Sequence, residues 1–215
     1  MKVPNYIFPP RPDVKIPSVD LGKYDNGEYL AQPKYNGSCC VVFLTKTEFK
    51  AWNRHKELLS TFKANILPIY RGIGTMVIAG EYLNKNKIGE FGQDLNHSFV
   101  IWDILAYNDE WLIGKTVEER LTLIEVLYPC NRMIVTINGV LMSYNHLCCT
   151  KIDGIYKAPT YTFGFNELYQ DIITTPLYEG LVLKKKLSKL EFGFSAMNNT
   201  SWQLKCRKET KNYKF

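Results

Sequence analysis

The sequence predicts an α+β domain, with antiparallel sheets flanked by helices. Three observations carry this expectation. Short runs rich in β-branched and aromatic residues recur from Tyr29 to Arg207. Only a few segments keep helical spacing, and strands and helices do not alternate as a parallel βαβ sheet would require.

Taken in order, residues 1–27 are rich in Pro, Asp, Gly and Lys without periodicity, and are expected to form an N-terminal arm packed on the domain, with turns at Pro9-Pro10 and Asp25-Asn26-Gly27. The remaining residues, 28–215, form the single main domain. Tyr29 to Pro33 and Ser38 to Thr45 read as strands around the turn residue Gly37, which puts Lys34 at their junction. Glu57 to Leu67 is expected to be a modest helix stopped by Pro68. Thr75 to Leu83 and Ser98 to Leu105 are apolar strands, each interrupted by one acid, Glu81 and Asp103, and such carboxylates need partners or cations. Asn84 to Asn96 is polar and is expected to be a hairpin or loop. A helix opens at Thr116, where Glu119 completes a capping box, and Val117, Leu121, Ile124 and Leu127 trace one face to about Tyr128. Met133 to Met142 is strand-like around Asn138-Gly139. Phe165 to Ile173 is a short helix ended by Pro176, and Gly180 to Lys186 and Ser201 to Arg207 are the last strands.

With 46% hydrophobic residues, including 14 Tyr, 11 Phe and 4 Trp, the chain has the composition of a protein with a sizeable core. No apolar run approaches the roughly 18 residues of a membrane span, and the prolines and charges of the first 15 residues are unlike a signal peptide, so a cytoplasmic, nucleoid or viral replication setting is expected rather than secretion. Cys39-Cys40 and Cys148-Cys149 are adjacent pairs and, with Cys130 and Cys206, form no Cys-x-x-Cys spacing, so reduced thiols are expected rather than structural zinc. The net charge of +6 is concentrated: residues 184–214 hold nine Lys and Arg against two Glu. That segment is where a phosphate backbone is expected to lie, with Lys185, Lys186 and Lys208 as nucleic-acid contacts. A solvated basic tail is the alternative reading.

One series of motifs carries chemistry. Lys34-Tyr35-Asn36-Gly37, Asn53-Arg54, Gly80-Glu81, Phe99 to Asp103, Glu179-Gly180-Leu181-Val182-Leu183-Lys184 and Leu204-Lys205-Cys206-Arg207 follow one another along nearly the whole chain beyond the arm. In this order they resemble the motifs of the covalent nucleotidyltransferase superfamily, which contains ATP-dependent DNA ligases, RNA ligases and mRNA-capping guanylyltransferases. The resemblance implies the ligase and capping-enzyme nucleotidyltransferase fold, with ATP as nucleotide donor and Mg²⁺, or Mn²⁺ in its place. It implies that Lys34 is the nucleophile, with Lys184 and Lys205 as catalytic cations that help it shed its proton and offset charge on the α-phosphate. Glu179 is the implied metal ligand, Glu81 and Arg54 the ribose and phosphate contacts, and Phe99 the aromatic that stacks on the base. Gln32, Lys184, Lys205 and Arg207 complete the implied nucleotide-binding set. A surface lysine and structural salt-bridge acids are the readings of Lys34, Glu81 and Asp103 taken singly.

Two departures from the family pattern stand out. Asn36 replaces the usual Asp after the nucleophile, as RNA ligases tolerate. Only eight residues follow Arg207, so an adenylation domain with no OB domain is expected, either as an isolated catalytic domain or as a minimal ligase that completes the step differently, as RNA ligases without an OB fold do. Against the RNA ligase reading, Gly114 to Leu121, in which Glu119-Arg120 follows Gly114 after four residues, resembles the Gly and Glu-Arg segment of DNA ligases and capping enzymes. The implied function is an ATP-dependent polynucleotide ligase that seals nicks through a lysyl-AMP intermediate. Its expected partner is nicked duplex nucleic acid with 5′-phosphate and 3′-hydroxyl ends, DNA slightly ahead of RNA, bound by a monomer. An OB-less RNA ligase, a GTP-dependent capping domain and a non-catalytic nucleic-acid binding module are the alternatives.

Overall fold

Two twisted sheets face each other, and the computed structural model describes residues 6–129, 131–137, 140–150 and 152–209. The strands are β1 (Arg11–Lys15), β2 (Tyr29–Tyr35), β3 (Ser38–Leu44), β4 (Phe49–Asn53), β5 (Met76–Leu83), β6 (Ser98–Tyr107), β7 (Glu110–Trp111), β8 (Asn131–Ile137), β9 (Val140–Cys149), β10 (Ile155–Lys157), β11 (Tyr178–Lys185) and β12 (Asn199–Arg207). The helices are α1 (Leu21–Tyr24), α2 (Val117–Leu127) and α3 (Phe165–Ile172). The smaller sheet runs β1-β12-β11-β2, and the larger runs β4-β3-β5-β6-β10-β9-β8 with β7 on β6. Most pairs are antiparallel, as expected; β1 with β12 and β6 with β10 are parallel, so the sheets are mixed. Among the described residues neither sheet closes into a barrel.

The strand following the arm extends through Lys34 to Tyr35, and the chain then crosses to the larger sheet at Asn36-Gly37. Asn36 N–H donates to the carbonyl of Leu177 at 2.8 Å, and Gly37 N–H donates to Glu81 Oε1 at 3.1 Å. A Cβ on Gly37 would lie 2.6 Å from the Tyr82 carbonyl oxygen and 2.9 Å from Glu81 Cγ, so this close crossing needs glycine. The turn that follows the lysine therefore docks directly on the acid of β5. The arm does more than pack: Arg11–Lys15 is the edge strand of the smaller sheet, and Pro33 in β2 sits on the opposite edge strand, where a missing N–H is tolerated.

The expected helix over Glu57–Leu67 does not form. The side chain of Asn53 instead accepts from the N–H groups of His55 and Glu57, and the backbone turns back so that Leu58 bridges Trp52 and Leu59 N–H donates to Ala51. Phe62, Ala64 and Ile66 then reach the core at every second residue, a spacing that extended chain satisfies and a helix does not. Only Leu67–Ile69 coils, as a single 3₁₀ turn.

Helix α2 starts at the expected capping box: Thr116 Oγ1 accepts from Glu119 N–H and Glu119 accepts from Thr116 N–H. Its Val117, Leu121 and Ile124 pack with Phe99, Ile101 and Ile104 of β6. Helix α3 buries Phe165, Leu168 and Ile172 against Leu181 and Leu183 of β11. The polar segment after β5 is a small hairpin closed by an Ile88–Asp94 bridge. The expected turn at Asn138-Gly139 lies outside the described residues. Cys39, Cys40 and Cys206 carry free thiols.

Candidate active site

Side chains alternate along a strand, so residues two apart share a face and cross-strand partners form rows. On the smaller sheet Lys34 lies opposite Gly180, which lies opposite Arg207; Gln32, Val182 and Lys205 make the next row, and Lys184 pairs with Gln203 in the third. This face floors a cavity of about 600 Å³. The larger sheet supplies the facing wall through Ser38, Cys39, Asn53, Arg54, Glu81 and Trp102, and the arm closes one side with Pro10, Arg11 and Pro12. A volume of this size is within the range of small-ligand and cofactor sites.

Gly180 has φ +136°, and a Cβ there would lie 2.0 Å from the Cys206 carbonyl oxygen. Glycine at this position lets β11 and β12 close up, so that Glu179 and Arg207 meet beside Lys34. Lys34 Nζ donates to Glu179 Oε2, and Arg207 Nη2 lies 3.2 Å from the same oxygen. Glu179 is thus held between the proposed nucleophile and a guanidinium. Lys205 Nζ donates to the Pro12 carbonyl at 3.0 Å. Burial first, and then the charges of Lys15, Arg11 and Lys34, push its ammonium below the ordinary lysine range.

Burial pushes the Glu81 carboxyl up to about 7; Lys34 opposes the shift, Glu179 adds to it, and the Gly37 N–H opposes it. Burial raises the Cys39 thiol to about 12 with help from Glu81, which makes it an inert wall rather than a nucleophile. Arg54 Nε donates to His55 Nε2 at 3.0 Å at the cavity rim.

Lys184 departs from its expected role. It lies in the cavity wall, but its Nζ donates to the Trp102 carbonyl at 3.0 Å and stands 4.9 Å from the centre of the Trp102 ring. Burial lowers its ammonium to about 8, the Asp103 carboxylate opposes that shift, and Arg120 adds to it. Lys184 therefore braces the wall, and Lys205 and Arg207 are the cations beside Lys34. Asp103 is itself a structural acid: Arg120 grips it with Nε to Oδ1 and Nη2 to Oδ2, both at 2.9 Å.

Phe99 is corrected outright. It is fully buried on the other face of β6, where it packs edge-on against Phe62 beneath α2. An odd spacing of three residues puts Trp102 on the opposite face, and Trp102 is the aromatic residue of β6 that lines the cavity. Sequence reasoning missed it, and also missed Arg11, His55 and Gln203. The alternation of Gln203 with Lys205 and Arg207 was the available signal for Gln203; for Arg11 there was none, because the arm's strand pairing is non-local. Lys185, Lys186 and Lys208 lie outside the cavity: Lys185 faces Glu28 at 3.3 Å, and Lys208 Nζ donates to the Thr175 carbonyl at 3.4 Å.

No protein-family model matches the chain, and no curated protein is similar to it. Solved structures are. The chain is similar to the ligase domain of Mycobacterium tuberculosis LigD, with a TM-score of 0.57 and 13% identity over 85% of this chain and 54% of that one. A structure named Pmar-Lig_Pre gives a TM-score of 0.60 at 14% identity, covering 94% of this chain and 47% of that one. The ATP-dependent DNA ligase of bacteriophage T7, in complex with ATP, gives 0.54 at 13% identity, covering 96% of this chain and 70% of that one. The chain thus spans about half the length of the first two. Likeness at these identities is one of fold, and that fold is the ligase and capping-enzyme nucleotidyltransferase fold.

Proposed function

We propose that the chain is an ATP-dependent polynucleotide ligase that seals nicks through a lysyl-AMP intermediate, with DNA favoured over RNA. The observation that carries this is the contact of Lys34 with Glu179, itself shared with Arg207, inside a cavity that also holds Glu81 and Lys205. The cavity sets Arg11, Lys34, Arg54, Lys184, Lys205 and Arg207 against only two carboxylates, Glu81 and Glu179, a balance that suits a polyphosphate.

In the first step Lys34 Nζ sheds a proton and leaves its hydrogen bond with Glu179. Its lone pair then attacks the α-phosphorus of ATP, forming the N–P bond as the bond to pyrophosphate breaks. Lys205 and Arg207, on the same strand face, offset the negative charge that gathers on phosphate oxygens. A 5′-phosphate then displaces Lys34 from AMP, and a 3′-hydroxyl attacks the activated phosphate, releasing AMP and closing the strand. Glu81 serves as the ribose acceptor and Trp102 as the ring wall for the base.

Gln32 supports ATP over GTP. Its Oε1 is buried at the cavity wall without a hydrogen-bond partner, while its Nε2 donates to Thr160 Oγ1 at 3.3 Å. An orphan acceptor matches the exocyclic amine of adenine, whereas guanine presents a carbonyl at that position. Glu179, an oxygen donor beside the nucleophile, fits a hard divalent cation and would hold Mg²⁺. That ion, when bound, supplies charge stabilisation at the phosphate oxygens.

Incubation with α-labelled ATP and Mg²⁺ tests the reading. A label that is stable to alkali and lost in acid, as a phosphoramidate is, should form in the wild type and disappear in Lys34→Ala. No label, or equal label in the variant, overturns the covalent enzyme. Nicked DNA and nicked RNA compared side by side then assign the substrate, and preferential labelling from GTP would overturn the nucleotide assignment.

A further inference from the structure

Between β11 and β12 the chain leaves the sheet and returns as a long loop, residues 186–198, whose backbone is pinned on two sides. On one side Glu118 N–H donates to the Lys186 carbonyl and Val117 N–H to that of Ser188, while Leu190 exchanges hydrogen bonds with Gly114 and Lys115 at 2.9 Å each. On the other side Asn198 Nδ2 donates to the Phe8 carbonyl at 2.6 Å, and Arg11 N–H donates to the Asn198 carbonyl at 2.8 Å. The Leu190 side chain is fully buried. Yet the tip of this anchored loop turns its apolar side chains outward: Phe194 is 90% exposed, Met197 66% and Phe192 47%, with the two rings 6.3 Å apart. An apolar outcrop held rigidly in water marks an interaction surface.

The chemistry around it selects the partner. Lys185, Lys186 and Lys189 lead into the outcrop, and Glu191 is the acid within it. The loop also reaches the cavity rim, because Arg11 Nη1 donates to the Ala196 carbonyl at 3.1 Å and Arg11 lines the cavity. Aromatic and methionine side chains beside lysines are what proteins insert between base steps from the minor groove, with the cations on the flanking phosphates. Lys185 lies five residues along β11 from Gly180, the partner of Lys34. At about 3.3 Å per residue, the outcrop stands roughly 20 Å from the nucleophile. That is roughly six base pairs of duplex at about 3.4 Å each.

We propose that Phe192, Phe194 and Met197 form an apolar wedge that docks on the substrate duplex about six base pairs from the nick, on one side of it only. The proposal rests on the ligase reading, since it takes its register from an end bound at Lys34. The wedge gives the enzyme a second hold on the duplex, apart from the reacting ends.

The test uses the full chain, wild type and Phe192→Ser/Phe194→Ser, with fluorescent nicked DNA hairpins. The two arms of each hairpin are either twelve base pairs long or trimmed in turn to three. Anisotropy without divalent metal reads the affinity. The double variant should bind the long substrate about tenfold more weakly, the size expected for losing one or two base contacts. It should match the wild type once one particular arm is trimmed. A 2-aminopurine placed about six base pairs along that arm should brighten at least about twofold with wild type, as an unstacked base does, and stay dark with the variant. Equal affinity of both proteins for the long substrate overturns the wedge. So does a wild type that sediments as a dimer while the variant is monomeric with unchanged duplex affinity, since the outcrop then seats a second copy. Labelling by α-labelled ATP separates the two readings. Normal labelling with unchanged anisotropy sinks the wedge alone, and absent labelling with an affinity loss in the variant sinks the ligase reading while the docking surface stands.

Discussion

Replacing Arg120 with Met should remove a large share of the stability of this fold without touching the cavity surface. The Arg120 and Asp103 side chains are 0% and 1% exposed, joined by two 2.9 Å hydrogen bonds. Asp103 Oδ1 also accepts from the Ile104 N–H at 2.8 Å, and Arg120 Nη1 donates to the Lys115 carbonyl at 2.8 Å. Burial by itself would push the Asp103 carboxyl up; Arg120, then Lys184 and the hydrogen bonds, outweigh it and hold the group below its ordinary 3.8. With Met in place of Arg120, Asp103 stays buried with Lys184 as its nearest cation. Losing one partner of a buried pair costs about 3–5 kcal/mol, which for a chain of this size lowers the melting temperature by roughly 10 °C. Urea unfolding followed by tryptophan fluorescence at pH 7 measures it as a lower midpoint at constant slope. The double variant Asp103→Asn/Arg120→Met should recover to within about 1 kcal/mol of wild type, because no uncompensated charge remains. The pH arm has a definite sign. Asp103 has a depressed folded value, so its contribution is complete above the unfolded value and disappears as pH falls through the folded one. In Arg120→Met burial raises the same carboxyl, so the gap between wild type and variant should be smallest in acid, open as pH rises past about 4, and reach its full size only above the raised value of the variant. A loss under about 1 kcal/mol, or a double variant as unstable as the single one, refutes the reasoning.

Two further outcomes follow from the cavity walls. Glu81 has a folded value of about 7 against an ordinary 4.5; its contribution relative to Glu81→Gln is present below the ordinary value and is lost as pH rises through 7. The wild type should lose up to about 3 kcal/mol relative to the variant between those limits in paired unfolding curves, and parallel curves would refute the burial of its charge. Trp102→Ala should raise the KM for ATP in lysyl-AMP formation several-fold, whereas Phe99→Ala should cost about 3–5 kcal/mol of stability and leave that KM nearly unchanged; the opposite split would restore Phe99 to the nucleotide.

That split also shows what was legible in the sequence. Motif order located Lys34, Glu81, Glu179, Lys205 and Arg207, and the structure gathers all five around one cavity, because each lies on a strand whose alternation is local and readable. The capping box at Thr116 and the two acid-bearing strands were readable for the same reason. What failed depended on contacts distant along the chain. The Glu57–Leu67 segment has helix-compatible residues, but Asn53 turns it back on β4, and no local pattern announces that bridge. Arg11 enters the wall because β1 pairs in parallel with β12, nearly two hundred residues away. Phe99 and Trp102 stand three residues apart in one apolar strand, so composition could not say which faces the ligand; the parity of the strand decides it once Glu81 and Trp102 are seen on one wall. Alternation does not carry on from Trp102 to Asp103. The ladder slips there, with Gly80 paired to Ile101 but Ala79 to Asp103, so the acid shares the face of Ala79, and Arg120, placed by the capping box, is the partner that makes its charge tolerable. The segment from Gly114 to Leu121 resembles a ligase motif, and here its arginine acts on the cavity at one remove, by holding the strand that carries Trp102.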